Sequence, residues 1–286
     1  MTPLRFVLCD VFTDKPLAGQ PLAVFTRATG LSDERMQALA RELNAPETAF
    51  VQPPAAGGHA KVRVFDPKRE LREPGHSLLG TAVVLGGALQ AEEVRLETPR
   101  GPVSVRLERE GARIVFGWIY QPFPVLAGVG ASAASVTDAL GLERALLQSE
   151  APLRAAEQVV AQASLEQLRS LAPDRRALAQ LGVARACVFA GAGGEYQARV
   201  FASAPDAGES LAVPATAAVI AAYLMRDERE PAATSCSIEL GAEFGRSSLA
   251  HVRIDGGPAV HAAPPQASAL WVGGAAVVVG RGEVVI

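Results

Sequence analysis

The sequence is short of cysteine, histidine and aromatic residues, and it has no excess of basic charge. Its three cysteines, Cys9, Cys187 and Cys236, are widely spaced and odd in number, so they form neither a disulfide framework nor a metal-binding pattern. The four histidines also lack the spacing of a zinc site. We therefore expect no bound metal, and the free thiols favour a cytoplasmic location.

Charge and hydropathy argue against two classes of partner. With 27 basic and 30 acidic side chains, the formal net charge is −3, which disfavours electrostatic binding to nucleic acid. Aromatic residues make up 5% of the chain, which leaves few platforms for stacking bases. The longest apolar stretch, Leu211 to Leu224, is too short to cross a bilayer and contains Pro214, so we expect no membrane partner.

What the sequence does contain is apolar mass and many turn residues. Hydrophobic residues occupy 49% of the 286 positions, which is enough to fill a substantial core. The 27 glycines and 20 prolines indicate many turns between short elements. This length predicts one large domain or two domains of ordinary size.

An internal repeat favours two domains. Arg63-Val64-Phe65 returns as Arg199-Val200-Phe201, and each triplet is followed by a polar loop and then by an apolar stretch without charge. These stretches, Ser77–Leu89 and Leu211–Met225, are typical of helices that are buried on every side. Each half therefore predicts a strand, a loop and a central helix, as an ancient duplication would give.

The remaining segments are predicted to be mostly strands. Alternating apolar and polar residues predict strands at Ala60–Asp66, Glu93–Thr98, Val103–Leu107, Ala112–Trp118, Glu195–Phe201 and Ala250–Asp255. A surface helix is predicted at Asp33–Leu43, capped by Ser32 and stopped by Asn44. A further helix is predicted around Leu165 to Leu171, ending near Pro173.

The predicted fold is α+β, with two pseudo-symmetric domains that each wrap a curved mixed β-sheet or barrel around a central apolar helix. The first domain covers residues 1–121, and the C-terminal strand at about 275–286 is a candidate to complete it. The second domain covers residues 122–274, and the segment Gln121 to Ser135, rich in Pro, Gly and Ala, is the predicted linker. The cleft between the domains is the expected ligand site.

Polar residues near the central helices are the candidates for chemistry, because the first N–H groups of a helix have no intrahelical partner and carry partial positive charge. Gly75-His76 opens the first helix, where His76 is either a proton donor and acceptor or a satisfied histidine. Glu47 is either a partly buried acid/base or an ordinary loop glutamate. Ser210 would cap the second helix, and Gly245-Arg246-Ser247-Ser248 is a tight turn or an anion-binding corner.

Several motifs together resemble the PhzF family of phenazine biosynthesis. They are Asp10-Val11-Phe12 with Pro16, Gly19, Pro21 and Ala23-Val24-Phe25; Glu47-Thr48-Ala49-Phe50-Val51; Glu70-Leu71 with Gly75-His76 and Leu78-Leu79-Gly80-Thr81-Ala82; Leu165, Leu168, Leu171, Pro173 and Asp174; and Gly245-Arg246 with Ser248 and His251-Val252-Arg253. The resemblance covers nearly the whole chain.

The resemblance implies the diaminopimelate-epimerase-like fold, with two pseudo-symmetric domains and a central helix in each. It implies an isomerase or epimerase of a small carboxylated metabolite that needs no cofactor and forms a homodimer. By the same resemblance, Glu47 would be the proton shuttle in the cleft, while His76 and the Gly75 amide would hold the substrate. Related racemases place a thiol at the start of each central helix. No cysteine stands there in this sequence, so two-thiol chemistry is not expected.

The second half departs from the family pattern. Ser210 falls at the position of the family's catalytic aspartate, and Pro214-Ala215 replaces a Gly-Ser pair, with the loss of one N–H donor. The further candidate substrate contacts are Gln20 in place of an asparagine, Ser77 in place of a proline, and Leu211 and Ala212 in the second half. A catalytically altered or non-catalytic small-molecule binding protein on the same fold is therefore the alternative.

Overall fold

The computed structural model describes residues 3–72, 74–129, 133–143, 152–156, 158–204, 213–226, 235–255 and 269–286. The strands are β1 (Pro3–Val11), β2 (Gln20–Phe25), β3 (Glu47–Gln52), β4 (Ala60–Phe65), β5 (Glu93–Thr98), β6 (Gly101–Glu110), β7 (Arg113–Gln121), β8 (Ala127–Gly128), β9 (Leu153–Ala155), β10 (Gln158–Gln162), β11 (Arg185–Ala192), β12 (Glu195–Ala202), β13 (Ser235–Leu240), β14 (Ser248–Asp255), β15 (Ala269–Gly274) and β16 (Ala276–Val285). The helices are α1 (Asp33–Leu43), α2 (Ser77–Leu89), α3 (Ala133–Leu140), α4 (Leu165–Ser170), α5 (Arg175–Gln180) and α6 (Val213–Arg226), with a short 3-10 helix at Ala242–Phe244.

The chain divides into two compact units. The first comprises Met1–Tyr120, Ala242–Leu249 and Val272–Ile286, and the second comprises Gln121–Gly241 and Ala250–Trp271. The first unit includes residues 242–249, which the predicted boundaries assign to the second domain. The predicted linker is itself structured in part, because β8 and the first residues of α3 lie within it.

The first unit contains a mixed sheet in the order β16-β1-β2-β3-β4-β5-β6-β7. Strands β2 and β3 are parallel, as are β4 and β5, and the other neighbours in this sheet are antiparallel. The C-terminal strand β16 lies beside β1 over its whole length, from Pro3 opposite Val285 to Val11 opposite Ala276. The two ends of the chain therefore share one sheet.

Helix α2 covers one face of this sheet, which we call the inner face. It contacts β1, β2, β3, β5, β6 and β16, and it carries no charged residue. The prediction of a helix buried on every side holds for its first turns, whereas Leu89 in the last turn is exposed. Gly80 allows the close approach, because a Cβ atom there would lie 2.5 Å from Leu22 Cδ2 and 2.7 Å from Val11 Cγ2. The predicted bounds of this helix, Ser77–Leu89, are confirmed.

Helix α1 packs on the opposite, outer face, against β3 and β4. Its apolar stripe contacts Phe25 and Phe50 in the core of that face. The Ser32 side chain accepts the first hydrogen bond of the helix, and Asn44 ends it in the left-handed conformation at φ 49°, so the predicted bounds and both caps are confirmed. Because Phe50 faces α1, the alternation of a strand directs β3 residues at odd separations from it toward α2.

The second unit contains strands β8 to β13, in the order β13-β12-β11-β10-β9-β8. Pairs β10-β11 and β12-β13 are parallel, and α6 contacts β10 and β13. The helix predicted around Leu165 to Leu171 is confirmed as α4, but α5, whose cap is the Asp174 side chain, was not predicted. Within the described residues α6 begins at Val213, and the predicted start at Leu211 lies outside them.

Candidate active site

Glu47 is the first residue of β3, and it lies on the inner face because it is three positions from Phe50. Its side chain is 13% exposed. The carboxylate accepts hydrogen bonds from two backbone amides at the start of α2. Gly75 N lies 3.1 Å from Oε1 and 3.3 Å from Oε2, and Ser77 N lies 3.1 Å from Oε2. The structure therefore joins Glu47 to the Gly-His segment, two features that are 28 residues apart in the sequence.

The start of α2 suits a carboxylate for two reasons. The first amides of a helix lack intrahelical acceptors, and the helix dipole places partial positive charge at this end. Gly75 brings its amide close to the acid, since a Cβ atom at that position would lie 3.1 Å from Glu47 Oε1. An ionised carboxylate is thus stabilised without any nearby lysine or arginine in this set of contacts.

His76 adds a titratable ring to the same site. It is 2% exposed, and its Nε2 lies 3.2 Å from the carbonyl oxygen of Pro21. A carbonyl only accepts hydrogen bonds, so Nε2 carries the proton and donates it to Pro21. Nδ1 then faces Glu47 Oε1 at 3.7 Å.

Two buried hydroxyl groups lie on α2 one turn apart. Ser77 and Thr81 are both fully buried, and neither hydroxyl has a hydrogen-bond partner among the described residues. Ser77 contacts Glu47 through its backbone amide, and its role as a substrate contact stays a prediction. Gln20 is also buried, and its Nε2 lies 3.5 Å from Ser248 Oγ. Gln20 adjoins Pro21, the residue that orients His76.

The candidates of the second half cannot be placed in this site. Ser210, Leu211 and Ala212 lie outside the described residues. Within them, α6 opens with Val213 and Pro214 and has no acidic residue in its first turn. Because proline has no N–H group, the start of α6 lacks one of the amides that the start of α2 offers to Glu47.

Arg246 has a structural role that favours the turn among the two predicted alternatives. Gly245 is in the left-handed region at φ 67°. Arg246 Nη2 donates to Asp10 Oδ1 at 2.6 Å, and its guanidinium also donates to the carbonyl oxygens of Ala18 and Gly19. The second oxygen of buried Asp10 accepts from Leu17 N at 2.7 Å. This pair fastens the loop after β1, and sequence reasoning missed it because the partners are 236 positions apart.

A cavity of about 610 Å³ lies on the outer face of the sheet, away from Glu47. Several of its charged side chains have partners in the same region: Arg63 binds Asp33 and Glu70, and Glu97 accepts the amides of Ala55, Ala56 and Gly58, each at 2.7 Å. The amides of Ala55 and Gly58 hold the pKa of Glu97 below its usual range. Glu97 was not predicted as a special residue, since it occupies an ordinary polar position of β5.

Two of the three thiols, those of Cys9 and Cys187, are unsuited to act as bases. All three cysteines are buried. Burial raises the pKa of Cys9 to about 12, and burial likewise raises the pKa of Cys187. Both therefore stay protonated at neutral pH, and a protonated thiol is a poor nucleophile and a poor base.

Two negative findings hold for the part of the chain that the structure describes. None of its helices has both the length and the hydrophobicity that crossing a membrane requires. No three His, Cys, Asp or Glu side chains in these ranges are grouped so that they could hold a metal ion.

Known proteins resemble the chain over its whole length. A family model described as phenazine biosynthesis-like protein, PhzC-PhzF, matches residues 9–282. Trans-2,3-dihydro-3-hydroxyanthranilate isomerase of Pseudomonas aeruginosa is 36% identical over 253 residues, 88% of this chain and 91% of the relative. The isomerase of the same name from Pseudomonas fluorescens is 34% identical over 283 residues, 99% of each chain. A PhzF-family crystal structure from Bacillus anthracis matches with a TM-score of 0.82 at 21% identity, over 100% of both chains.

The fold and these relatives define the class of protein, an isomerase with a mixed α+β architecture. Within that class, the chain belongs to the PhzC-PhzF family of phenazine biosynthesis-like proteins. The resemblance carried by the sequence motifs is therefore confirmed.

Proposed function

We propose that the protein isomerises a small carboxylated metabolite by proton transfer without a cofactor, with Glu47 as the acid/base. The observation that carries this proposal is the Glu47 carboxylate itself, held by the amides of Gly75 and Ser77 and facing the His76 ring. General acid–base catalysis requires a side chain that is fixed in place and can both accept and release a proton. The amides of Gly75 and Ser77 support the first requirement, and the imidazole beside the carboxylate supports the second.

The proposed reaction conserves atoms and charge. The Glu47 carboxylate removes a proton from one carbon of the substrate, and the electron pair of that C–H bond moves into the conjugated system. The protonated acid then returns the proton to another carbon. His76, oriented by the Pro21 carbonyl, would bind a polar group of the substrate, and the Gly75 amide supports the carboxylate.

The first candidate substrate is trans-2,3-dihydro-3-hydroxyanthranilate, which the names of two full-length relatives specify. We expect the wild-type protein to consume it and Glu47→Gln to lose at least about a hundredfold in kcat, the lower end of what a general base contributes. The measurement is chromatographic turnover across this compound and related cyclic amino acids. Full activity in Glu47→Gln would overturn the role of Glu47, and tight binding without turnover would favour the alternative of a non-catalytic binding protein.

We further propose that the two halves descend from one duplicated, pseudo-symmetric design. The arginine of each repeated triplet lies over the aromatic ring two positions on, Arg63 over Phe65 at 5.2 Å and Arg199 over Phe201 at 4.9 Å. Each triplet lies in a strand that precedes a largely apolar helix, α2 or α6, and the charged residue of α6 is Arg226 at its last position. The homodimer stays a prediction, and the mass of the protein in solution tests it.

A further inference from the structure

We propose that strand β16 is the contact surface between two copies of this chain, whose β16 strands pair antiparallel about a two-fold axis at Gly282. The unpaired backbone groups at the edge of a sheet can accept such a strand from another chain. The proposal gives the predicted homodimer a specific interface, and it does not depend on the chemistry proposed for Glu47.

Strand β16 lies at the edge of the sheet of the first unit. It pairs with β1 on one side, and no strand among the described residues pairs with its other side. Edge strands are commonly protected from association by proline, by lysine or by a short length. Strand β16 is ten residues long and contains neither proline nor lysine. Its register with β1 shifts beside Val279, so the regular part of this edge runs from residue 280 to residue 285.

Apolar side chains border this free edge. Val285 is 60% exposed and Val279 is 37% exposed. On the outer face of the sheet, Val284 and Ile286 pack against the core beneath α1 but are only partly buried. A second strand beside β16 would remove apolar surface from water on both faces, which favours association.

The charges of β16 specify a second copy as the partner and fix its register. Opposed residues of an antiparallel pair point to the same face, and a two-fold axis across the pair keeps each face on its own side. An axis at Gly282 sets Arg281 of each copy opposite Glu283 of the partner subunit. An axis at Arg281 or at Glu283 would instead oppose like charges, which is destabilising.

The contacts of these two residues within one chain leave room for the pairing. Glu283 Oε1 accepts a hydrogen bond from Arg5 Nε at 2.7 Å, on the side of β1. Arg281 forms no ion pair with any residue that the structure describes. In the proposed dimer, Glu283 would lie between Arg5 of its own chain and Arg281 of the other copy, so a second copy supplies the acid that Arg281 lacks.

Analytical ultracentrifugation of two charge-reversed variants tests this interface. In Arg281→Glu both charged positions of β16 are acidic, and in Glu283→Arg both are basic, so each variant alone opposes like charges across the axis. We expect each to raise the dimer dissociation constant by at least about tenfold. An equimolar mixture of the two variants restores opposite charges and should form a heterodimer. Lys68→Glu makes the same charge change at an exposed position outside β16 and should leave the dimer intact.

The outcomes separate the interface from the other proposals. Circular dichroism first establishes that each variant is folded. A wild-type protein that stays monomeric at its highest soluble concentration would overturn both the interface and the predicted homodimer. A wild-type dimer that both variants leave intact, or a mixture of the variants that stays monomeric, would overturn the interface alone. Turnover is measured separately, so a failure of the isomerase proposal leaves this test unaffected.

Discussion

Two glutamates in the first unit are held by backbone amides, and they lie on opposite faces of the same sheet. Glu47, on the inner face, accepts the amides of Gly75 and Ser77 at 3.1–3.3 Å and has an imidazole beside it. Glu97, on the outer face, accepts three amides of the loop after β3, each at 2.7 Å. Both glutamates are thus carboxylates held by backbone amides, but the groups beside them differ.

The difference shows what separates a structural carboxylate from a reactive one. The amides of Ala55 and Gly58 lower the pKa of Glu97, so it remains an anion that fastens its loop. Glu47 accepts hydrogen bonds from two amides rather than three, at 3.1–3.3 Å rather than 2.7 Å, and its Oε1 faces the His76 ring at 3.7 Å. If Glu47 is the acid/base that we propose, the neighbouring imidazole and the longer hydrogen bonds, rather than contact with backbone amides, distinguish it from Glu97.

The amides that hold Glu47 are positioned by the packing of α2 on the sheet. Substitution of Gly80 should disturb this packing and should have the largest effect. In Gly80→Ala the new methyl group would overlap Leu22 and Val11, which should destabilise the protein by about 2 kcal/mol. Gly87, in the same helix, has open space at its Cβ position, so Gly87→Ala should stabilise by about 0.5 kcal/mol through helix propensity. Urea unfolding of the two variants measures the difference. Equal stabilities would show that α2 is not packed as closely as described.

A smaller effect is expected when a methyl group is placed beside each glutamate. In Gly75→Ala the methyl carbon would lie 3.1 Å from Glu47 Oε1 and shift the carboxylate, so kcat should fall about tenfold with little loss of stability. In Gly58→Ala it would lie 2.8 Å from Glu97 Cγ and 3.0 Å from the Arg95 carbonyl oxygen, so stability should fall by about 1 kcal/mol with kcat retained. Turnover and unfolding are measured on both. The reverse pattern would exchange the roles assigned to the two acids.

The smallest expected effect is a local, pH-dependent loss of hydrogen-exchange protection in the loop held by Glu97. Because the pKa of Glu97 is lowered in the folded protein, its contribution is present above the ordinary value of 4.5 and is lost as the pH falls through the lower folded value. The amides of Ala55, Ala56 and Gly58 should then lose protection against hydrogen exchange, relative to intrinsic rates at each pH. In Glu97→Gln their protection should no longer depend on pH in this range. Unchanged protection in the wild-type protein down to pH 2 would refute this role.

Local patterns predicted the helices of the first unit well. An uncharged apolar stretch gave the bounds of α2, and an N-cap serine with a terminal asparagine gave those of α1. Glu47 and His76 were each singled out from position and chemistry, but with an ordinary structural role as the alternative. Their meeting depends on the parallel register that sets Leu22 opposite Glu47, which no local pattern specifies.

Contacts made by backbone groups or between distant residues could not be predicted. The amide of Ser77 has no signature in the sequence, and the amides that hold Glu97 come from a loop of glycine and alanine that would suit many partners. Asp10 was noticed within a motif, while its partner Arg246 lies in residues 242–249, a segment of the first unit that stands between the two parts of the second unit in the chain. Such contacts follow from strand order, which places β1 between β16 and β2.

We propose that Glu47, and not Glu97, which backbone amides also hold, transfers the proton. The direct measurement is deuterium incorporation into carbon when trans-2,3-dihydro-3-hydroxyanthranilate is incubated in heavy water with wild-type protein, Glu47→Gln or Glu97→Gln. Wild type and Glu97→Gln should incorporate solvent deuterium at similar rates, and Glu47→Gln should be slower by at least about a hundredfold while remaining folded. Undiminished deuterium incorporation by folded Glu47→Gln would show that Glu47 does not transfer the proton.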